Sequence, residues 1–233
     1  MEENWSYGAV AFIDVLGFSA LVSSDSKSIQ PMYLNKLRGL LGKVKEASPD
    51  LDVRAFSDCI TIAAPLTSDR VALLLESVIS LQRLLVGGGV LVRGGVAFGK
   101  HFADDTLIYS EALIRAYLLE RDKARFPRVL VDPDLLDWYF HNEETTPEGV
   151  DMVKASLLTD RDNQVFLNYL QPSVLEEHLT IIKTYKVDNA TPSVLEKVQW
   201  LGQYHNHIAK SAGSQHVFSG QMLDGFREVV VSP

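Results

Sequence analysis

The chain has a single cysteine, Cys59, among its 233 residues. A lone thiol cannot close an internal disulfide, and it excludes any zinc site built on cysteines. Long apolar runs are missing too: no stretch approaches the roughly 18 residues a membrane-spanning helix needs. The first residues, Met1-Glu2-Glu3-Asn4, are acidic where a secretory leader is basic, so no leader is expected. Basic residues number 22 against 30 acidic, for a net charge of −8. That balance argues against a protein that coats nucleic acid, while leaving room for a site that takes one small anion. What remains is 46% hydrophobic, with no low-complexity segment, and long enough to bury a substantial core. The expectation is a cytoplasmic protein with no membrane association and no nucleic-acid partner.

Residues 8–14, "GAVAFID", are too apolar for a half-exposed strand and read as a central one. Leu34, Leu37, Leu41 and Val44 share one face of a helix. "LDVRAFSDCITIAAP" reads as two strands folded back about Ser57-Asp58. Val71, Leu74, Leu75, Val78, Leu81 and Leu85 predict an amphipathic helix, stopped by Gly87-Gly88-Gly89. Next come a strand with an unusual glycine pair ("VLVRGGVAFGK"), a helix ("SEALIRAYLLERDKA"), a strand ("RVLVD") and a proline-started helix ("PDLLDWYF"). The order β-α-β-β-α-β-α-β is not the strict alternation of a doubly wound fold. It predicts an α+β protein with a ferredoxin-like mixed sheet and packed helices. Past residue 140 the texture changes. "HNEETTPEGVD" reads as an acidic loop, followed by "QVFLNYL" and a helix from Thr191-Pro192 to about Ala212. No internal repeat is present. Residues 1–140 are therefore expected to form the core, and residues 141–233 a C-terminal extension packed on the same domain.

Two acids draw attention. Asp14 ends the first strand, and Asp58 sits in the turn of the hairpin. If those elements are neighbours in one sheet, both carboxylates converge just beyond its edge. Hard oxygen ligands of this kind suit Mg²⁺ or Mn²⁺, which rely on one or two protein carboxylates plus substrate phosphates. The Val15 carbonyl is a candidate third ligand. Gly17-Phe18-Ser19 would offer backbone N–H groups to a phosphate at a helix start. Taken singly, Asp14 also reads as a helix cap and Asp58 as a turn residue.

"FIDVLGFSAL" resembles the first metal-binding motif of the class III nucleotidyl cyclases, and "VRAFSDCITIA" the second, with Asp58 as its aspartate. "LVRGGVAFGK" is similar to the family's Arg-x-Gly-rich strand and "YSEALIRAYLLE" to the helix that follows it. The resemblance covers roughly residues 8 to 120 and makes residues 1–140 the catalytic core. It implies two divalent ions per site, bridged by Asp14 and Asp58. One ion would activate the ribose 3′-hydroxyl and the other would neutralise the departing diphosphate. There are departures from the pattern. Ser57 replaces a glycine. Laid on the family's helix without gaps, Ile114 and Leu118 take the places of an asparagine and an arginine that hold ribose and stabilise the transition state. A shift of three residues offers Arg115 instead, at the cost of matching Ala116 and Glu120.

Arg54 stands four residues before Asp58, where relatives carry a base-selecting residue. Arginine offers a fork of donors and no acceptor, which suits the two carbonyls of uracil better than the N1–H of guanine. An exposed strand position explains Arg54 equally simply. Leu107 stands in place of a second base-reading polar residue, and Phe12, on the Asp14 face by the period of two, would form the floor. This combination resembles the pyrimidine cyclases of bacterial antiphage defence, which make cyclic UMP or cyclic CMP for a separate effector protein. UTP is the favoured substrate, CTP or an inactive nucleotide-binding regulator the alternatives. Arg93 is a candidate for the triphosphate or for a partner's ribose, or else an edge charge. Since class III sites form between two catalytic domains, a homodimer is expected. His205 and His207 read as solvated residues of a polar helix, and Lys100-His101 as near a phosphate at most.

Overall fold

The apolar run at the start of the chain becomes the central strand of a mixed sheet in the computed structural model, which describes residues 5–184, 191–219, 226 and 228–229. In chain order the elements are β1 (Ser6–Val15), α1 (Phe18–Asp25), α2 (Met32–Ala47), β2 (Asp52–Phe56), β3 (Cys59–Pro65) and α3 (Ser68–Gly87). There follow β4 (Val92–Ala103), β5 (Ile108–Ser110), α4 (Glu111–Lys123), β6 (Val129–Val131), α5 (Pro133–His141) and α6 (Pro147–Ala155). The last are β7 (Leu157–Thr159), β8 (Val165–Leu167), α7 (Leu175–Thr184) and α8 (Pro192–Ser211). Strands lie in the order β2-β3-β1-β4-β6-β8-β7, with β5 paired to β4. The first four pair antiparallel, in the ferredoxin-like arrangement, and β6 joins β4 in parallel. The expected α+β class is what the chain adopts.

Alternation along β1 sets the two sides of the sheet. Ala9, Ala11, Ile13 and Val15 are buried against α2 and α3, together with Val53, Ile60, Ile62 and Val96. Val10, Phe12 and Asp14 point to the opposite face. There α4 covers β1 and β4, while Trp200 and Tyr204 of α8 pack on Leu130 of β6 and Phe166 of β8. Between the hairpin and α4 this second face stays largely open, and Phe56 on β2 is 84% exposed.

The extension is part of the sheet itself. β8 pairs with β6 through Leu130 and Phe166, and β7 pairs with β8. Arg128, fully buried, ties the two regions together. Its guanidinium donates to Asp160 and Asp162, Asp160 also accepts from Trp200 Nε1 at 2.6 Å, and the rings of Phe126, Phe166 and Trp200 surround it. The segment expected as an acidic loop runs into α6 instead. Thr146 Oγ1 accepts from Gly149 N at 3.1 Å and Pro147 opens the helix, a cap that overrides the acidic composition. His205 is likewise not solvated. α8 buries every residue from Trp200 to His205, so a polar side chain there faces protein. His178 Nδ1 lies 3.2 Å from His205 Nδ1 with the rings stacked, Tyr169 Oη lies 3.5 Å from His178 Nε2, and His205 Nε2 lies 2.7 Å from the His216 carbonyl. Among the described residues, no helix is long and apolar enough to cross a membrane.

Candidate active site

Asp14 lies one residue from the end of β1, paired across the sheet with Cys59 of β3 on one side and Arg93 of β4 on the other. The next residue, Val15, donates its N–H to the Asp58 carbonyl at 2.9 Å. That bond stitches the β2–β3 turn to the end of β1, so Asp14, Val15 and Asp58 share one corner of the sheet. The turn has two residues, Ser57 and Asp58, between the paired Phe56 and Cys59. Only Ser57 takes a positive φ, 55°, the pattern of a type II′ turn in which glycine is preferred. The serine keeps a glycine's conformation at a cost of about 1 kcal/mol.

The corner is rich in charge. Arg93 Nε donates to Asp14 Oδ2 at 3.1 Å and lies 2.7 Å from Glu120 Oε1 on α4. The Glu120 side chain is only 4% exposed, and burial raises its pKa, with Arg93 pulling the other way. The Cys59 thiol, donating to Asp58 Oδ1 at 3.6 Å, is pushed up to about 11. Burial is the main cause, and the negative fields of Asp58, Asp14 and Glu120 add to it. Asp14 and Glu120 thus share one guanidinium, and Asp58 lies at the same corner through the Val15 bond and the Cys59 thiol. Among the described residues, no group of three or more His, Cys, Asp or Glu forms a ready metal cage. Asp14 and Asp58 are hard oxygen donors, of the type that Mg²⁺ or Mn²⁺ takes together with water and phosphate.

Gly95, the second of the glycine pair of β4, and Gly99 further along the strand have a packing role against α4. A Cβ on Gly95 would lie 3.0 Å from Leu119 Cβ and closer still to the Ala116 carbonyl, and one on Gly99 would lie 3.0 Å from Ala112 N. α4 therefore rests directly on the strand backbone, which brings Glu120 down to Arg93. Gly17 is different. It caps α1 with φ 74°, and an added Cβ would meet nothing within 4 Å, so its backbone angle alone calls for glycine. Phe18, the first residue of α1, packs partly against the main core.

Arg54 pairs with Thr61, and Thr61 with Phe12, so all three lie in one row on the open face. Phe12 meets Tyr117 of α4 edge-to-face at 5.4 Å. Arg54 Nε donates to the Asp52 carboxylate at 2.8 Å and Nη1 to the Asp104 carbonyl at 2.5 Å. Asp104 Oδ1 in turn accepts from Leu107 N at 2.7 Å. The exposed Leu107 and its hairpin are thereby tied to β2, and much of the Arg54 fork is already engaged. Arg115 is not brought to this corner. It donates to Asp132 at 3.0 Å and Asp134 at 2.6 Å on the α5 flank of α4, opposite the Tyr117 flank. Ile114 and Leu118 lie on the outer surface of α4. Lys100 sits over the Tyr7 ring, and His101 Nδ1 contacts Ser110 Oγ at 2.8 Å. Glu120 was not among the expected site residues. The signal for it was the stripe Ala112, Ala116, Glu120, which puts an acid in line with two small sheet-facing residues.

The sequence matches no family model and no curated protein. Solved structures of similar shape include the adenylyl cyclase CyaB from P. aeruginosa, at 14% identity over 69% of this chain and 92% of that one, TM-score 0.46. A second is the guanylyl cyclase Cya2, at 14% identity over 60% and 81%, TM-score 0.43. A third is a bacterial light-regulated adenylyl cyclase, at 11% identity over 77% and 97%, TM-score 0.45. At these identities the likeness is one of chain path alone.

Proposed function

We propose that the protein is a metal-dependent pyrimidine nucleotide cyclase that converts UTP, in preference to CTP, to the 3′,5′-cyclic nucleotide and diphosphate. The observation that supports this most is the Val15–Asp58 backbone bond, which holds a turn acid beside the strand-end Asp14, next to an uncovered trough of a ferredoxin-like sheet. In the reaction the ribose 3′-oxygen bonds to the α-phosphorus, and the bond from that phosphorus to the β-phosphate's bridging oxygen breaks. Diphosphate leaves and the hydroxyl proton passes to water. Two Mn²⁺ or Mg²⁺ ions, when bound, would supply Lewis acidity to both oxygens. Asp14 and Asp58 would hold them, with the Val15 carbonyl as a further donor. The N–H groups following Gly17 would meet phosphate, Phe12 would underlie the base, and Arg54, held by Asp52, would address its carbonyls. The motif resemblance extends the reading to a second messenger of antiviral defence, acting through a separate effector protein.

A homodimer belongs to the same proposal. Phe56, Leu107, Ile114, Tyr117 and Leu118 are exposed apolar residues beside the trough, a surface that a second copy would cover. A second reading, an inactive nucleotide-binding regulator, is favoured by the apolar Ile114 and Leu118 and by the engagement of Arg115 with its own α5 flank. Incubation with each of the four ribonucleoside triphosphates and Mn²⁺, followed by mass analysis, separates the readings. Cyclic UMP is expected, a purine product refutes the base assignment, and intact triphosphates from a folded protein favour the regulator.

A further inference from the structure

Arg93 stands between two carboxylates that are not equivalent. Its Nε–H meets hydrogen-bond geometry with Asp14 Oδ2 at 3.1 Å. Glu120 Oε1 is nearer, at 2.7 Å, yet it is a buried oxygen with no hydrogen bond. Glu120 cannot retreat to water, because α4 is seated on the Gly95 and Gly99 backbone. A buried carboxylate oxygen left without a hydrogen bond is costly, and structures retain one only where something offsets it. Here the arginine N–H is already within reach and directed elsewhere.

We propose that Arg93 is a positioning residue that hands over between these two acids: it holds Asp14 until a divalent cation binds there, then turns to Glu120. This rests on the reading of Asp14 as a metal ligand. Without a metal, Arg93 neutralises Asp14 and fixes its carboxylate. When a cation takes Asp14, a small rotation aligns the freed N–H with Glu120 Oε1, so the arginine is never left unpaired. Metal entry is then an exchange of one cation for another, with Glu120 lowering the cost of the exchange.

The test is Mn²⁺ binding to the full chain without nucleotide, read from the electron paramagnetic resonance signal of free Mn²⁺. Glu120→Gln removes the charged alternative and leaves Arg93 on Asp14, so binding is expected to weaken by roughly fivefold. Arg93→Met combined with Glu120→Gln removes the competitor at similar volume, so binding is expected to tighten by roughly the same factor. A merely structural role of the pair moves both variants in the same direction, and that result overturns the hand-over. Circular dichroism checks the fold of each. Should the double variant not fold, Glu120→Gln decides alone, and unchanged or tighter binding overturns the idea. Asp14→Asn separates the two claims. Mn²⁺ binding that is absent from the wild type, or that survives Asp14→Asn, overturns the metal reading together with the hand-over.

Discussion

Lowering the pH from 7 to 5 is expected to weaken the fold through the stacked His178 and His205. The His216 carbonyl can only accept, so His205 Nε2 carries its hydrogen and leaves Nδ1 bare. That bare nitrogen accepts from His178 Nδ1–H, and His178 Nε2 then accepts from the Tyr169 hydroxyl. Both rings are neutral in this chain. One added proton, on His178 Nε2, turns the Tyr169 hydroxyl from donor to acceptor and places a full charge among Tyr169, Tyr204 and apolar neighbours. A second, on His205 Nδ1, sets two N–H groups against each other. Nearby charges give no relief: Arg83 reaches in from α3 to the Tyr169 carbonyl, and Lys183 and His216 bear on His205. Burial, with the neighbouring His205 next, lowers His178 to about 3, and burial also lowers His205. An unfolded histidine takes its proton near 6.5, so the unfolded state binds more protons over this interval. Stability is therefore complete above about pH 6.5 and falls as pH drops, at about 1.4 kcal/mol per unit for each such group. For His178 alone this amounts to about 2 kcal/mol at pH 5, or a loss of about 4–8 °C in Tm for a chain of this size. Urea denaturation at pH 7, 6 and 5 measures the slope. His178→Gln/His205→Gln should be less stable at pH 7 but flatter with pH. A wild-type midpoint independent of pH, or a double variant with the wild-type slope, refutes the reasoning.

Asp14→Asn and Asp58→Asn should each abolish cyclic nucleotide output while keeping the wild-type melting temperature, because both side chains lie at a sheet corner outside the core; residual turnover by mass analysis counts against the metal assignment. Arg54→Ala should change the preference among the four triphosphates by on the order of 1–3 kcal/mol, and an identical preference profile shows that Arg54 does not read the base. Gly95→Ala forces α4 off β4 and should cost about 1–3 kcal/mol in urea denaturation, with Gly39→Ala, where an added Cβ meets nothing within 4 Å, as the control. Activity per chain should fall on dilution as the homodimer dissociates; full activity from a species that sediments as a monomer argues against a shared site.

The elements most legible in the sequence were those whose signals are local. The apolar run of β1, the two-residue turn at Ser57-Asp58 and the triple glycine that ends α3 each fix a position without help from distant residues. The corner holding Asp14 and Asp58 was legible for that reason, since a strand end and a hairpin turn meet once β1 and β3 pair. The start of α1 at Gly17-Phe18 was legible but its extent was not, because none of its eight residues is buried and no amphipathic pattern forms. β7 and β8 have three residues each, too few for a period of two to register; β8 is held by pairing with β6, and β7 by pairing with β8. His205 misled because polar spacing implies water only when a helix has a solvent face at that point. Glu120 was obscured because burial of an acid depends on the glycine backbone beneath it, which lies in another element.

Continuity of the sheet from β4 through β6 to β8 has a consequence for synthesis on the ribosome. The four ferredoxin-like strands are complete once Ala103 has emerged, whereas α8 ends about a hundred residues later. At ordinary translation rates of about 5–20 residues per second, that interval lasts roughly 5–20 s. In the later part of it, from the synthesis of β6 onward, Leu130 has no α8 to cover it, and Arg128 is made before Asp160 and Asp162 exist to pair with it. The nascent chain therefore carries an unfinished, sticky sheet margin with an unmatched cation in it. That margin is sealed only when Trp200 arrives.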